Sequence, residues 1–186
     1  EAKVLALHKI IAQLGAGIYG FKDPASGYTG TNVFGVNLSG DYAITNVPSP
    51  WYYLTTGPYD FRGYTRTMLQ FQRWLNCRPA SVLPGANVTI DVSTNYPNPL
   101  LWTTIWSNQG NLLGIYDAYW SLFQCNFPAW ADNCRYVYVR WGYKVPDAVW
   151  YSGWNIDDIQ FQGIHVPVLT AQPASHTNNA GTTATF

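Results

Sequence analysis

Residues 87–94, NVTIDVST, decide the fold class. Aliphatic side chains at positions 88, 90 and 92 alternate with polar ones at 89, 91 and 93, which is the period of a strand with one inward and one outward face. Similar short stretches bounded by turn residues fill most of the chain: 31–38, 51–56, 67–75, 101–107, 118–123, 135–142 and 154–161. This pattern predicts an all-β fold, a two-sheet antiparallel jelly-roll β-sandwich.

The composition agrees with a β fold and limits the partners. The 186 residues carry no formal net charge, and only 11% of them are charged while 17% are aromatic. Glu1 is the only glutamate, so the usual surface residues of helices are scarce. Neutral charge gives no electrostatic case for binding nucleic acid or an anionic membrane, and no apolar run is long enough for a membrane span. Abundant Tyr and Trp suit either a large core or a sugar-binding or protein-binding surface.

The chain divides at residue 163 into a predicted sandwich domain, 1–163, and a linker or extended tail, 164–186. Residues 1–14 have apolar side chains on one helical stripe, but the same residues suit an edge strand, and the pattern leaves both readings open. The tail lacks acidic residues and aromatic rings until Phe186. With so little apolar surface, it needs a partner surface to become ordered.

Motifs for catalysis are missing from the sequence. There is no nucleophile elbow, no P-loop and no zinc-protease motif, and the three histidines (His8, His165 and His176) lie near the termini. Nine aspartates are present, but none occupies a recognisable acid–base context. We therefore expect a protein that binds or assembles and is not an enzyme.

Asp157 and Asp158 are the most informative carboxylates. Ile156 and Ile159 flank them with opposite strand parity, so both cannot face the core unless the strand has a bulge at the Asp pair. Two adjacent carboxylates need a cation, backbone N–H groups or an arginine. Calcium is one candidate, because it binds clustered oxygen ligands. An exposed pair, or a salt bridge to Arg73 or Arg140, is the alternative.

The chain has three cysteines and no C-x-x-C pair, which argues against zinc and thioredoxin-like redox sites. Cys125 and Cys134 bracket a loop rich in turn residues. We predict a disulfide between them, as would suit an exported protein, with Cys77 free and buried. Three reduced thiols are the alternative.

Four pieces together resemble one family. They are SGYTGTNVFGVNLSGDY at 26–42, RWLN at 73–76, NVTIDVST at 87–94 and SGWNIDDIQ at 152–160. In this order they are similar to cleaved-adhesin or "choice-of-anchor J" domains, MAM-like jelly rolls of secreted bacterial proteins. The resemblance implies an exported domain that adheres, binds host proteins or glycans, or accompanies an enzyme. It also implies structural calcium near the final strand, for which Asp41, Asp157 and Asp158 are the matching residues.

Two departures from the family bear on assembly. Residues 1–14 are apolar and basic where the family has an acidic, aromatic first strand, and this would leave a sheet edge open. The tail is similar to the opening strand of bacterial immunoglobulin-like repeats. We expect the tail to add as a strand to another copy, which would build a homo-oligomer or filament. Its apolar anchors would be Val166, Val168, Leu169 and Phe186.

The predicted function is therefore a secreted, extracellular structural or adhesive module at the cell surface. It would self-associate head-to-tail through its tail. The alternative is a carbohydrate-binding accessory module of a secreted multidomain hydrolase. The positions of the nine tryptophans would separate the two: rings on one open face favour sugar, and rings buried between protomers favour assembly.

Overall fold

The computed structural model describes residues 24, 26–36, 48–78, 87–111, 113–145, 151–167 and 180–181. Within these ranges the chain forms strands and one short 3-10 helix. Their order is β1 (Phe34–Gly35), β2 (Tyr52–Tyr59), β3 (Tyr64–Cys77), β4 (Val88–Ser93), β5 (Thr103–Ser107), β6 (Ile115–Tyr116), β7 (Ser121–Asn126), the 3-10 helix (Ala129–Ala131), β8 (Val137–Tyr143) and β9 (Gly153–His165). Each predicted strand overlaps an observed one, and β6 is the strand that the sequence pattern does not predict. The stretch 1–14 lies outside the described residues.

The strands form two antiparallel sheets. In the first sheet the order is β1-β9-β3, and β6 and β7 both pair with the remaining edge of β3. In the second sheet the order is β2-β8-β4-β5. The chain changes sheet at every connection except β4–β5 and β6–β7. With β6 and β7 counted as two pieces of one strand, this is the connectivity of a jelly roll, so the predicted β-sandwich is confirmed.

Asp117 fills the break between β6 and β7. Its Oδ2 accepts hydrogen bonds from the Leu75 amide at 2.9 Å and from Arg73 Nε at 2.9 Å. Arg73 Nη2 donates to the other carboxylate oxygen at 3.0 Å. The carboxylate thus takes the place of a strand partner for Leu75. Without it, a buried amide of β3 would lose its acceptor.

Aromatic rings fill the space between the sheets. Phe71 meets Trp141 of the opposite sheet edge to face, with ring centroids 5.6 Å apart, and Trp106 meets Phe123 across the sandwich at 5.0 Å. Such pairs contribute about 0.5–1.5 kcal/mol each beyond burial of their area. Val88, Ile90 and Val92 are fully buried in this core, as their alternation predicts.

The last strand runs beyond the predicted domain boundary at residue 163. β9 continues to His165, and the Val166 amide donates to the Gly63 carbonyl at 2.8 Å. The first residues of the predicted tail therefore belong to the first sheet. Most of the tail beyond Pro167 lies outside the described residues. No helix in the described part of the chain is both long and apolar enough to cross a membrane.

Candidate binding surfaces

The predicted bulge at the Asp pair is present in β9. The register of β9 against β3 shifts between Gln70 and Gln72, and Asp158 has a φ of 48°, which is rare for a residue other than glycine. The opposite parity of Ile156 and Ile159 is thereby resolved. Both carboxylates lie at the edge of the first sheet, beside the loop at 26–32.

Backbone N–H groups and one hydroxyl, and no arginine, satisfy this pair. Asp157 Oδ2 accepts from the amides of Tyr28 at 2.7 Å and Thr29 at 3.2 Å, and its Oδ1 accepts from the Asp158 amide at 2.8 Å. The Thr29 hydroxyl donates to Asp158 Oδ1 at 2.6 Å. The Asp pair therefore fastens the 26–32 loop to β9.

Arg73 and Arg140, which the sequence admits as partners of this pair, bind other carboxylates. Arg73 is paired with Asp117 on the same sheet. Arg140 lies in the second sheet and is paired with Asp91 at 2.8 Å. A salt bridge to either arginine is therefore excluded as the means of satisfying the Asp pair.

The oxygen atoms around Gly27 are of the type that calcium binds. A Cβ added to Gly27 would lie 2.7 Å from the Asn32 carbonyl oxygen, 2.8 Å from that of Thr29 and 2.9 Å from Asp157 Oδ2. These contacts leave no room for a side chain at position 27, and the three oxygens are of the kind that calcium binds. Across the described ranges, no three acidic, His or Cys side chains cluster. Asp41 lies outside those ranges, so the calcium site stays a prediction.

The predicted disulfide between Cys125 and Cys134 is not formed, and the described cysteines are free thiols. The Cys134 thiol donates instead to the Trp130 carbonyl at 3.2 Å. Burial raises the pKa of Cys125 to about 11 and that of Cys77 to about 12. Since the thiolate is the form that exchanges and oxidises, both thiols are poorly reactive near neutral pH. Cys77 is free and buried, as predicted.

The outer face of the second sheet carries rings on neighbouring strands. We call it the aromatic surface, and it consists of Trp51, Tyr53, Trp102, Tyr136, Tyr138 and Arg140. Trp51 and Tyr53 are nearly parallel, with ring centroids 6.0 Å apart and an angle of 14°. They lie over Gly142 of β8, where a Cβ would come within 2.8 Å of Tyr53 Cε1.

Arg140 occupies the centre of the aromatic surface. Its guanidinium carbon lies 3.8 Å from the ring centroid of Tyr53 and 4.3 Å from that of Trp102. Arg140 Nε donates to Asp91 Oδ2 at 2.8 Å, and the Thr104 hydroxyl donates to Asp91 Oδ1 at 2.7 Å. The guanidinium is thus fixed between two rings and one carboxylate, which are partners that suit its planar shape.

These side chains cover the outward residues of β4. Thr89, Asp91 and Ser93 are buried although they point away from the core. The sequence pattern predicts their direction correctly but does not predict that they are covered. Alternation in RYVYVRWG at 135–142 does contain the signal for this surface, because it places Tyr136, Tyr138 and Arg140 on one face.

The outer face of the first sheet is of a different kind. A ladder of glutamines crosses β7, β3 and β9, and we call it the glutamine ladder. Gln70 Nε2 donates to Gln160 Oε1 at 2.8 Å, and Gln70 Oε1 accepts from Gln124 at 3.1 Å and from Gln162 at 2.9 Å. All three hydrogen bonds are exposed to solvent.

Within the described ranges, one edge of the first sheet has no partner strand along most of β9. β1 pairs only with Asn155 and Ile156. Among the described residues, no strand pairs with this edge after Asp158, and the end of β9 is largely exposed. An exposed strand edge is a template for another strand. Of the predicted tail anchors, Val166 is described and is partly exposed, whereas Val168, Leu169 and Phe186 lie outside the described residues.

Comparison with known proteins gives a distant likeness of fold. No protein-family model matches the chain, and no curated protein matches it. Among solved structures the chain is similar to a cleaved adhesin domain. That structure is the K2 cleaved adhesin domain of Lys-gingipain, with 18% identity and a TM-score of 0.43 over 73% of this chain and 74% of that chain. The likeness is confined to the fold and gives no information about a ligand or an activity.

Proposed function

We propose that this chain is a non-catalytic extracellular module that acts in adhesion and associates with further copies of itself. The observation that supports the proposal best is that, in the part of the chain that the structure describes, no strand pairs with the exposed edge of β9 after Asp158. The tail of one copy would add there as a strand of the next copy, mainly through main-chain hydrogen bonds. Because tail and edge are different parts of the chain, such a contact is head-to-tail and builds rings or filaments.

Deleting residues 168–186 tests the association without cutting β9. Sedimentation velocity of the full chain over a range of concentrations should show oligomers, and the truncated chain should be monomeric. Oligomers of the same size in both proteins, or a full chain that stays monomeric throughout, would contradict the proposal.

A pair of matched substitutions tests the edge itself. Ile164 on β9 and Leu122 on β7 are both 55% exposed, and they lie on opposite edge strands of the first sheet. Lysine on an edge strand opposes pairing with another chain. Ile164→Lys should therefore weaken association at least tenfold, and Leu122→Lys should not. Equal behaviour of the two variants would exclude β9 as the acceptor edge.

We also propose that structural calcium stabilises the 26–32 loop. The supporting observation is that both carboxylates contact this loop: Asp157 accepts from the Tyr28 and Thr29 amides, and Asp158 accepts from the Thr29 hydroxyl. The role is structural, because an ion at this position would join a loop to the last strand.

The second candidate function is a carbohydrate-binding accessory module. The aromatic surface favours it, because its rings lie together on one outer face with Arg140 among them. Rings that are apolar on one side and accessible on the other suit the alternating C–H and O–H groups of a sugar.

A further inference from the structure

We propose that the aromatic surface binds an uncharged saccharide chain, and that Arg140 donates its central hydrogen bonds. This inference rests on the second candidate function and is independent of association through β9. The aromatic surface and the β9 edge lie on different sheets. An experiment can therefore refute saccharide binding without refuting association through β9, and the reverse.

The first argument is the state of the Arg140 guanidinium. Nε is used by Asp91, and the terminal nitrogens make no hydrogen bond to any described residue. The Arg140 side chain is 20% exposed, so part of it is accessible to solvent. The rings of Tyr53 and Trp102 on either side hold the group in place. Such preorganised donors lose little conformational entropy when a ligand binds.

The second argument is charge. Asp91 is 5% exposed and already neutralises Arg140, so the pair has no net charge to offer. Both Asp91 oxygens are occupied, by Arg140 and by Thr104. An acidic ligand would gain little here beyond a hydrogen bond, and its own charge would lose hydration. A hydroxyl group can accept hydrogen bonds from the same N–H groups without that cost. The site therefore suits hydroxyl oxygens over carboxylates.

The third argument is the extent of the surface. Tyr136, Tyr138, Arg140 and Gly142 alternate along one face of β8 and the residue before it. At about 3.3 Å per residue this row is about 20 Å long. Tyr96 stacks on Tyr136 at its far end, with ring centroids 3.9 Å apart. Tyr138 and Gly142 in this row are buried, and the exposed rings lie at its two ends: Tyr53 opposite Gly142 and Tyr96 on Tyr136. A ligand that contacts both ends must span several sugar units, so we expect a chain and not a single sugar.

Affinity electrophoresis tests the proposal. Native gels containing hydroxyethylcellulose, xyloglucan or galactomannan offer uncharged chains, and a gel containing polygalacturonate offers an acidic one. At least one uncharged polysaccharide should retard the wild-type protein, and polygalacturonate should not. Retardation by none of the uncharged chains, or preferential retardation by polygalacturonate, would overturn the proposal.

Variants assign the binding to this surface. Trp102→Ala should weaken binding to the retarding polysaccharide at least tenfold, and Arg140→Lys should also weaken it, because lysine keeps the charge but loses the planar fork. Trp130→Ala is the control, since Trp130 is 46% exposed and lies on the 3-10 helix. Unchanged affinity in Trp102→Ala, or an equal loss in Trp130→Ala, would show that this surface is not the site.

Two further measurements separate binding from folding and from association. Thermal unfolding of each variant identifies any variant that has lost its fold. Fluorescence titration of the wild-type protein with the same polysaccharide then tests whether the rings contact the ligand. If the rings lie at the site, the fluorescence of the protein should change and reach a plateau as polysaccharide is added. No change in fluorescence would contradict the proposal. Ile164→Lys should bind the polysaccharide as the wild type does, which keeps a failure of the β9 contact distinct from a failure of this site.

Discussion

On the second sheet, Asp91 points away from the core and is nevertheless buried, whereas on the first sheet Gln70 points away from the core, is only partly buried and has solvent-exposed hydrogen bonds. Both residues lie on antiparallel strands, so the difference in burial comes from the side chains around them. Asp91 lies next to Arg140, which is held between Tyr53 and Trp102. Gln70 lies among other glutamines of equal length. The outer face of the second sheet is a second packed layer because a charge and rings cover one another there.

The largest expected effect comes from breaking the ion pair of the second sheet. Asp91→Ala would leave Arg140 under its rings without a counter-charge, and the free energy of unfolding should fall by about 3 kcal/mol. Urea denaturation measures this change. Asp60→Ala is the control, because the Asp60–Arg62 pair has side chains 50% and 58% exposed and contributes little. Equal losses in the two variants would show that burial of the pair is unimportant.

A second, intermediate effect concerns the Asp157 and Asp158 carboxylates of the first sheet. Within the described residues, backbone N–H groups and the Thr29 hydroxyl satisfy them. Calcium at about one hundred times its Kd should stabilise the folded chain by about 2.7 kcal/mol. Thermal unfolding in calcium and in EDTA measures this. Asp157→Asn should lose the response, and Asp60→Asn should keep it. A wild-type melting temperature that is the same in calcium and EDTA would refute the calcium site.

The smallest expected effect is on the glutamine ladder. Gln70→Ala removes exposed amide hydrogen bonds whose donors and acceptors can turn to water, so the free energy of unfolding should change by no more than about 0.5 kcal/mol. Gln72→Ala, on the same strand and face, is the control in urea denaturation. A loss as large as that of Asp91→Ala would mean that the two outer faces contribute to stability in the same way.

Local pattern accounts for what the sequence predicts correctly. The alternation at 87–94 places Val88, Ile90 and Val92 in the core, and the parity of Ile156 and Ile159 requires the bulge that β9 contains. Both predictions depend only on the two-residue period of a strand. The all-β class follows from the same regularity.

Strand order accounts for much of what the sequence does not predict. The sequence admits Arg140 as a partner of the Asp pair, but β8 lies beside β4, so the partner of Arg140 is Asp91. Neighbouring strands in a jelly roll are far apart in sequence, and a single sequence does not give their order. The spacing of Cys125 and Cys134 likewise does not tell which way each thiol points.

Gly142 contacts both the core and the outer aromatic layer of the second sheet. These contacts limit which substitutions the protein can accept during evolution. Its carbonyl accepts the Trp154 indole N–H in the core at 3.2 Å. On the outer side a Cβ would lie 2.5 Å from Thr89 Oγ1, 2.8 Å from Tyr53 Cε1 and 3.2 Å from Trp51 Cε3. The rings above can be exchanged one at a time as a ligand changes, but any side chain at Gly142 would displace several of these groups at once. Descendants of this protein should therefore diverge in their rings well before they lose this glycine.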